Sequence, residues 1–196
     1  VYVEIPRDMV RVPCGRVAAL PAAPVDPDAL AACVDDVLAR IASAKSPVLM
    51  VGVEVRRFRL EARVAELAAR LGLPVVTSIM GRGLLAGTAN PPLGTYLGVA
   101  GQPELTARVE QSDALFLLGV IISDTNFGVS ARQIDLRHTI RAIDREVTLG
   151  FHTYRDIPLA ALVDALLARV PARPAATAKP GVAYPRHMPA DDAPIA

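Results

Sequence analysis

The feature that most constrains this chain is an alternation of short, unbroken apolar runs with stretches whose apolar residues recur at helical spacing. Three runs stand out: "SPVLMVG" (46–52), "LPVVTSIMG" (73–81) and "DALFLLGVI" (113–121). Continuous rather than every-other-residue hydrophobicity marks strands buried on both faces, as parallel sheets require. Between the first two, "RLEARVAELAARLG" places Leu60, Val64, Leu67 and Leu71 on one helical face and stops at Gly72, a helix-ending residue. Asp26-Pro27 supplies an N-cap and a proline at the first helical position for a helix with Leu30, Val34, Val37, Leu38 and Ile41 on its inner face. Pro103 opens another helix, with Leu105 and Val109 inward, across from a Gly- and Pro-rich excursion over residues 81–101. "TIRAID" (139–144) reads as a fourth strand and "VTLGFHTY" (147–154) as an edge strand. A last helix runs from Asp156-Ile157-Pro158 through Leu159, Leu162, Val163, Leu166, Leu167 and Val170. The spacing predicts an α/β fold: a doubly wound, mainly parallel sheet of about six strands with helices on both faces.

At 196 residues the chain can bury one substantial core, and its 52% hydrophobic content is mostly Ala, Val and Leu. No apolar run nears the roughly 20 residues of a membrane span. A net charge of +1 gives no field to recruit nucleic acid or an anionic membrane. Cys14 and Cys33 form no CxxC, and His138, His152 and His187 are scattered, so neither a disulfide framework nor structural zinc is expected. With no signal-peptide pattern, a cytoplasmic protein is the expectation. The ends look cut from something longer. "VYVEIP" is a strand without an obvious neighbour, open to recruitment by another chain, and "PARPAATAKPGVAYPRHMPADDAPIA" is Pro- and Ala-rich, like a linker.

A doubly wound sheet invites a dinucleotide, whose phosphates need glycines for a tight turn and close backbone approach. In "VGVEVRRF" Gly52 stands alone, and Val and Arg occupy the positions where further glycines belong. Gly81-Arg82-Gly83 ends the second strand, but "LLAGTANPPLG" after it is no helix, so no helix dipole faces a phosphate. Asp35-Asp36 and Asp191-Asp192 lack a third ligand at metal spacing and read as solvated faces. Ser123-Asp124 could be paired on paper with His138 or His152, but no GxSxG elbow is present. Arg56, Arg57, Arg59 and Arg63, interleaved with Glu54, Glu61 and Glu66, read as a helix face laced with ion pairs. Cys33 reads as a small core residue and Met80 as strand-end packing. No catalytic, cofactor-binding or metal-binding residue emerges.

Several fragments taken together do carry a resemblance. Met80-Gly81-Arg82-Gly83, Gly94-Thr95-Tyr96-Leu97-Gly98, Pro103-Glu104, Ser112-Asp113 and Leu118-Gly119 followed by Ser123-Asp124-Thr125-Asn126 occur in order across about residues 46–144. The stretch resembles the central domain of thiamine-diphosphate-dependent 2-oxo acid decarboxylases, most of all their indolepyruvate/phenylpyruvate branch. The resemblance implies that residues 1–18 end an N-terminal pyrimidine-binding domain, 19–26 are a linker, 27–171 are the central domain, and 172–196 lead toward a C-terminal diphosphate-binding domain. It implies a parent carboxy-lyase, homodimeric or homotetrameric, holding thiamine diphosphate and Mg²⁺ between those other two domains and converting an aromatic 2-oxo acid to its aldehyde and CO₂. This chain by itself would carry no cofactor and no activity. Its partners would be the remaining domains, which it would brace and to which it could relay regulation. Synthase- and oxidase-like relatives bind FAD or ADP in this domain, and that alternative stands beside the first. Here "GTYLGVAG" replaces their His-Gly pattern, so an empty crevice is expected, with Asp124 and Asn126 making structural hydrogen bonds. Some substrate-activated relatives carry a cysteine after the first strand; this chain has Val53-Glu54-Val55, so thiol activation there is not expected.

Overall fold

The computed structural model describes residues 4–13, 15–16, 18, 24–123 and 134–172. Asp26 accepts hydrogen bonds from the Asp28 and Ala29 amides and starts α1 (Pro27–Ser43). The chain continues through β1 (Pro47–Val51), α2 (Val53–Arg57), α3 (Glu61–Leu71), β2 (Val75–Thr77), α4 (Pro103–Glu110) and β3 (Ala114–Leu118). It then adds β4 (Thr139–Ile143), β5 (Glu146–Leu149), β6 (His152–Arg155) and α5 (Leu159–Arg169). α3 ends where the sequence places its end, at Gly72 with φ +66°. The short α2 has no counterpart in the sequence reading, because five residues are too few to display a helical period.

The sheet has six strands in the order β2-β1-β3-β4-β5-β6. β2, β1, β3 and β4 pair parallel, while β5 and β6 are antiparallel additions. The single edge strand expected over 147–154 is therefore a hairpin. Gly150, at φ +58°, turns the chain between Leu149 and His152 and leaves Phe151 at its tip 91% exposed. The strand expected in "VYVEIP" does not form over Glu4–Pro6, and a 3₁₀ turn, Arg7–Arg11, follows it; Val1–Val3 lie outside the described residues.

Two apolar layers sandwich the sheet. On one face Cys33, Val37, Val64, Leu67, Leu162 and Leu166 from α1, α3 and α5 pack on Leu49, Val51, Phe116 and Leu118. On the other, Leu105 and Val109 of α4 join Tyr96 over Val48, Met50, Val76, Leu115 and Leu117. Every residue of β3 is buried, as its continuous apolar run predicts. Each fully buried Leu or Val contributes about 1.5–3 kcal/mol of transfer free energy, so helices on both faces are what fix the sheet. Among the described residues no helix is long and apolar enough to cross a membrane.

Candidate functional site at the carboxyl edge of the sheet

From β1 the chain crosses to β2 and from β3 it crosses to β4, on opposite sides, so a crevice opens between β1 and β3 at their carboxyl ends. In open α/β sheets ligands sit at such a point. Here the main chain fills it. The Gly52 amide donates to the Leu118 carbonyl at 2.9 Å, the Glu54 amide to the Gly119 carbonyl at 3.1 Å, and the Ser78 amide to the Val51 carbonyl at 3.0 Å. A Cβ built on Gly52 would lie 2.2 Å from the Gly119 oxygen and 2.5 Å from the Val120 Cα. One on Gly81 would lie 2.6 Å from the Val51 oxygen. Gly52 is thus the lone glycine of its loop because β1 and β3 close on each other there. The Glu54 amide, which a phosphate at the start of α2 would need, already serves the Gly119 carbonyl.

The sequence reading placed Glu54 on a polar helix face laced with ion pairs; the ion pair to Arg57 is present, but the side chain is buried. It is 7% exposed, and its Oε2 accepts the Asp144 amide at 2.9 Å while Arg57 approaches Oε1 at 3.4 Å. Asp144 in turn accepts the Leu159 amide at 3.2 Å. One carboxylate thereby ties α2 to the end of β4, and Asp144 ties that end to the start of α5. Of that arginine cluster, Arg56 pairs with Glu61 at 3.7 Å within the expected set, whereas Arg63 reaches Asp164 of α5 at 2.7 Å; Arg70, outside the cluster, pairs with Glu66.

Among the described residues the nucleophile, acid and metal candidates do not converge. Ser123 follows β3 at the carboxyl edge, whereas His138 precedes β4 and His152 pairs with Leu149, both at the amino edge. The length of a five-residue strand, about 16 Å, separates the two edges. His138 Nδ1 faces Arg40 at 3.2 Å and its Nε2 faces Asp135 at 3.6 Å. Asp35 and Asp36 part company, the first to Arg169 and the second accepting the Tyr154 hydroxyl at 2.7 Å. Cys33 is fully buried, and desolvation, with Asp36 nearby, pushes its thiol up to about 12, which makes it an inert core residue. Met80, expected as packing, is instead 47% exposed. Asp124, Thr125, Asn126, Cys14, His187, Asp191 and Asp192 lie outside the described residues. Among the described residues no three His, Cys, Asp or Glu side chains could hold a metal ion together.

The excursion over 81–101 is built on the same edge. It contains turns rather than an α-helix, and its last part runs beside β2: the Thr77 amide donates to the Gly94 carbonyl and the Tyr96 amide to the Thr77 carbonyl. Tyr96 is fully buried, its hydroxyl donating to Glu110 Oε1 at 2.9 Å.

Residues 34–170 match the family described as "Thiamine pyrophosphate enzyme, central domain". The chain is 64% identical over 197 aligned positions to an indole-3-pyruvate decarboxylase of Azospirillum brasilense, covering all of this chain and 36% of that protein. It is 29% identical over 177 positions to a pyruvate decarboxylase of Aspergillus terreus, covering 87% of this chain and 31% of that protein. An acetolactate synthase of Mycobacterium avium is 32% identical over 130 positions, 66% of this chain and 21% of that protein. The chain spans about a third of the length of these two decarboxylase relatives.

Proposed function

Because the chain belongs to the thiamine pyrophosphate enzyme central-domain family, we propose that residues 27–171 are the non-catalytic central domain of a thiamine-diphosphate-dependent decarboxylase acting on indolepyruvate or phenylpyruvate. The observation that carries this reading is the 64% identity to an indole-3-pyruvate decarboxylase along the whole chain. The domain's work is to brace the cofactor-binding domains of its parent, a homodimer or homotetramer, and to take part in any regulation through contacts with them.

The residues in hand do not fit a thiamine diphosphate–Mg²⁺ site. No set of three potential ligands converges among the described residues, and the crevice amides are spent on main-chain carbonyls. This reading leaves the reaction to the rest of the parent and assigns no catalytic, cofactor or metal residue to this chain. The test is decarboxylation by the full-length parent supplied with thiamine diphosphate and Mg²⁺. Release of CO₂ and the aldehyde from indolepyruvate or phenylpyruvate, faster than from pyruvate, is the expected result. Formation of acetolactate from pyruvate would overturn it.

A nucleotide-binding reading draws on the acetolactate synthase match. Against it stand the lone Gly52, the turns after Gly83 and the occupied Glu54 amide. Calorimetric titration of the parent with FAD, ADP and NAD separates the two readings. Silence supports the decarboxylase domain, and one-to-one binding of FAD or ADP replaces it with the synthase-like one.

A further inference from the structure

Two opposite charges on α1 are neighbours that do not pair. Asp36 and Arg40 are four residues apart, the spacing at which a carboxylate and a guanidinium on one helix ordinarily meet. Each is drawn away by another partner. The Tyr154 hydroxyl of β6 donates to Asp36 Oδ2 at 2.7 Å. Arg40 donates from Nη2 to the Arg137 carbonyl at 3.1 Å and meets His138 Nδ1 at 3.2 Å; a guanidinium can only donate, so that ring nitrogen accepts. Among the described residues neither Asp36 nor Arg40 has an ion-pair partner, unlike Asp35, which pairs with Arg169, and Arg137, which pairs with Asp135. Both side chains line the open depression of about 460 Å³ at the amino edge, a volume within the range of small-molecule sites. Ala39, Leu149, Gly150 and the His152 ring, held edge-on to Tyr154, line it as well.

We propose that this depression binds a small zwitterion, an α-amino acid with an apolar side chain, whose carboxylate meets Arg40 and whose ammonium meets Asp36. Arg40 Nη1 and Nε and Asp36 Oδ1 carry no hydrogen bond among the described residues and remain for such a ligand. The charge balance selects against simpler occupants. An anion alone would face the Asp36 carboxylate, and a cation alone would face Arg40; a molecule carrying both charges satisfies both. Ala39, Leu149 and Gly150 offer its side chain an apolar wall. The Tyr154 hydroxyl and the Arg137 carbonyl hold the two charged groups apart before a ligand arrives, so less ordering is left for binding to supply. The depression rests on the domain's own geometry, whichever reaction the parent performs.

Calorimetric titration of the full-length parent with L-leucine tests this, beside 4-methylpentanoate, which lacks the ammonium, and 3-methylbutylamine, which lacks the carboxylate. Leucine should bind once per chain, and each half-ligand about tenfold more weakly or worse, since each loses one charge-assisted contact. Asp36→Asn, which keeps an acceptor for Tyr154, and Arg40→Gln should each weaken leucine by a similar factor. No heat of binding from leucine overturns the proposal. So does a half-ligand that binds as tightly as leucine, which would make the depression a single-charge site, and so does leucine binding that neither substitution changes, which would place it elsewhere. The half-ligand comparison uses the unaltered protein and is independent of how the variants fold. Decarboxylase assays on the same sample judge the functional reading separately.

Discussion

The two edges of the sheet are closed by different kinds of atom. Between β1, β2 and β3 at the carboxyl edge main chain meets main chain, with Gly52 and Gly81 leaving no space for a side chain and Gly119 set tightly against α2. At the amino edge side chains close the structure. Asp113 accepts the Lys45 and Ser46 amides at 2.7 and 2.8 Å, Ser112 donates to the Ser46 carbonyl, and Arg40 reaches the Arg137 carbonyl at 3.1 Å. An open depression of about 460 Å³ remains there between Arg40, Ser43 and His152. Main-chain closure is rigid and intolerant of added atoms. Side-chain closure can be retuned one hydrogen bond at a time, and it responds to pH.

The sharpest way to break this comparison is Gly52→Ala. The glycine is extended (φ −120°, ψ −179°), so alanine meets no dihedral penalty, and the cost is purely steric. Its new methyl would meet the Gly119 oxygen and Val120 Cα, backbone atoms that no rotamer change can move aside. A loss of about 3 kcal/mol or more is expected in urea unfolding. Gly87→Ala, with nothing within 4 Å of its added Cβ, is the control and should stay within about 0.5 kcal/mol. Equal stability of the two variants would remove the idea of a main-chain-closed edge.

Glu54 gives the next largest effect. In Glu54→Ala the Asp144 amide loses its acceptor in a part-buried place, and a cost of about 1–3 kcal/mol is expected. Glu54→Gln keeps a carbonyl oxygen for that amide and should lose less than half as much. If Gln proved as harmful as Ala, the charge and its Arg57 partner, rather than the hydrogen bond, would hold α2 in place.

These two residues also show where sequence reading stops. α1, α3, α5, β1 and β3 were legible because their signals are local: a cap at Asp26, a stop at Gly72, apolar faces at helical spacing, an unbroken buried run. Gly52 was visible as an isolated glycine, but its reason lies at Gly119, just past the end of β3 and far along the chain. Glu54 looked like one charge among several, and its partner is 90 residues away. The hairpin was concealed because Gly150 interrupts an otherwise continuous strand-like run and only the antiparallel register reveals the turn. Exposure of Met80 was equally illegible, since an apolar residue at a strand end reads the same whether it packs inside or stands open.

At the amino edge the expected effects are smaller and depend on pH. The two backbone hydrogen bonds from Lys45 and Ser46 hold the Asp113 carboxyl below its ordinary value, and Arg137 holds Asp135 down at about 2. A carboxyl lowered in the folded state stabilises above its unfolded value, about pH 4, and loses that contribution as pH falls through the folded one. Asp113→Asn retains an acceptor without the charge. Its stability deficit against the unaltered chain should be present at pH 7 and shrink below about pH 4, as followed by thermal unfolding across pH. A deficit that does not change with pH would show that shape at Asp113, and not its ionisation, closes this edge.

Tyr154→Phe is the mildest probe and acts at the opposite end of the pH scale. The Tyr154 hydroxyl donates to Asp36 at 2.7 Å, linking the hairpin to α1. That bond, then burial and the Asp36 charge, push the phenol up to about 12. A group whose value is raised on folding stabilises fully below its unfolded value, about 10 for tyrosine, and the contribution fades between pH 10 and 12. Removing the hydroxyl should cost under about 1 kcal/mol at pH 7, since the bond is exposed and water can replace it. The alkaline loss of stability should flatten in the variant, while the Gly52 and Glu54 variants keep it. A Phe variant that retains the full alkaline slope would shift the responsibility to Cys33, whose thiol is also raised to about 12 and whose ionisation is opposed by the same Asp36. The Cys33→Ala variant would then be the one to flatten it.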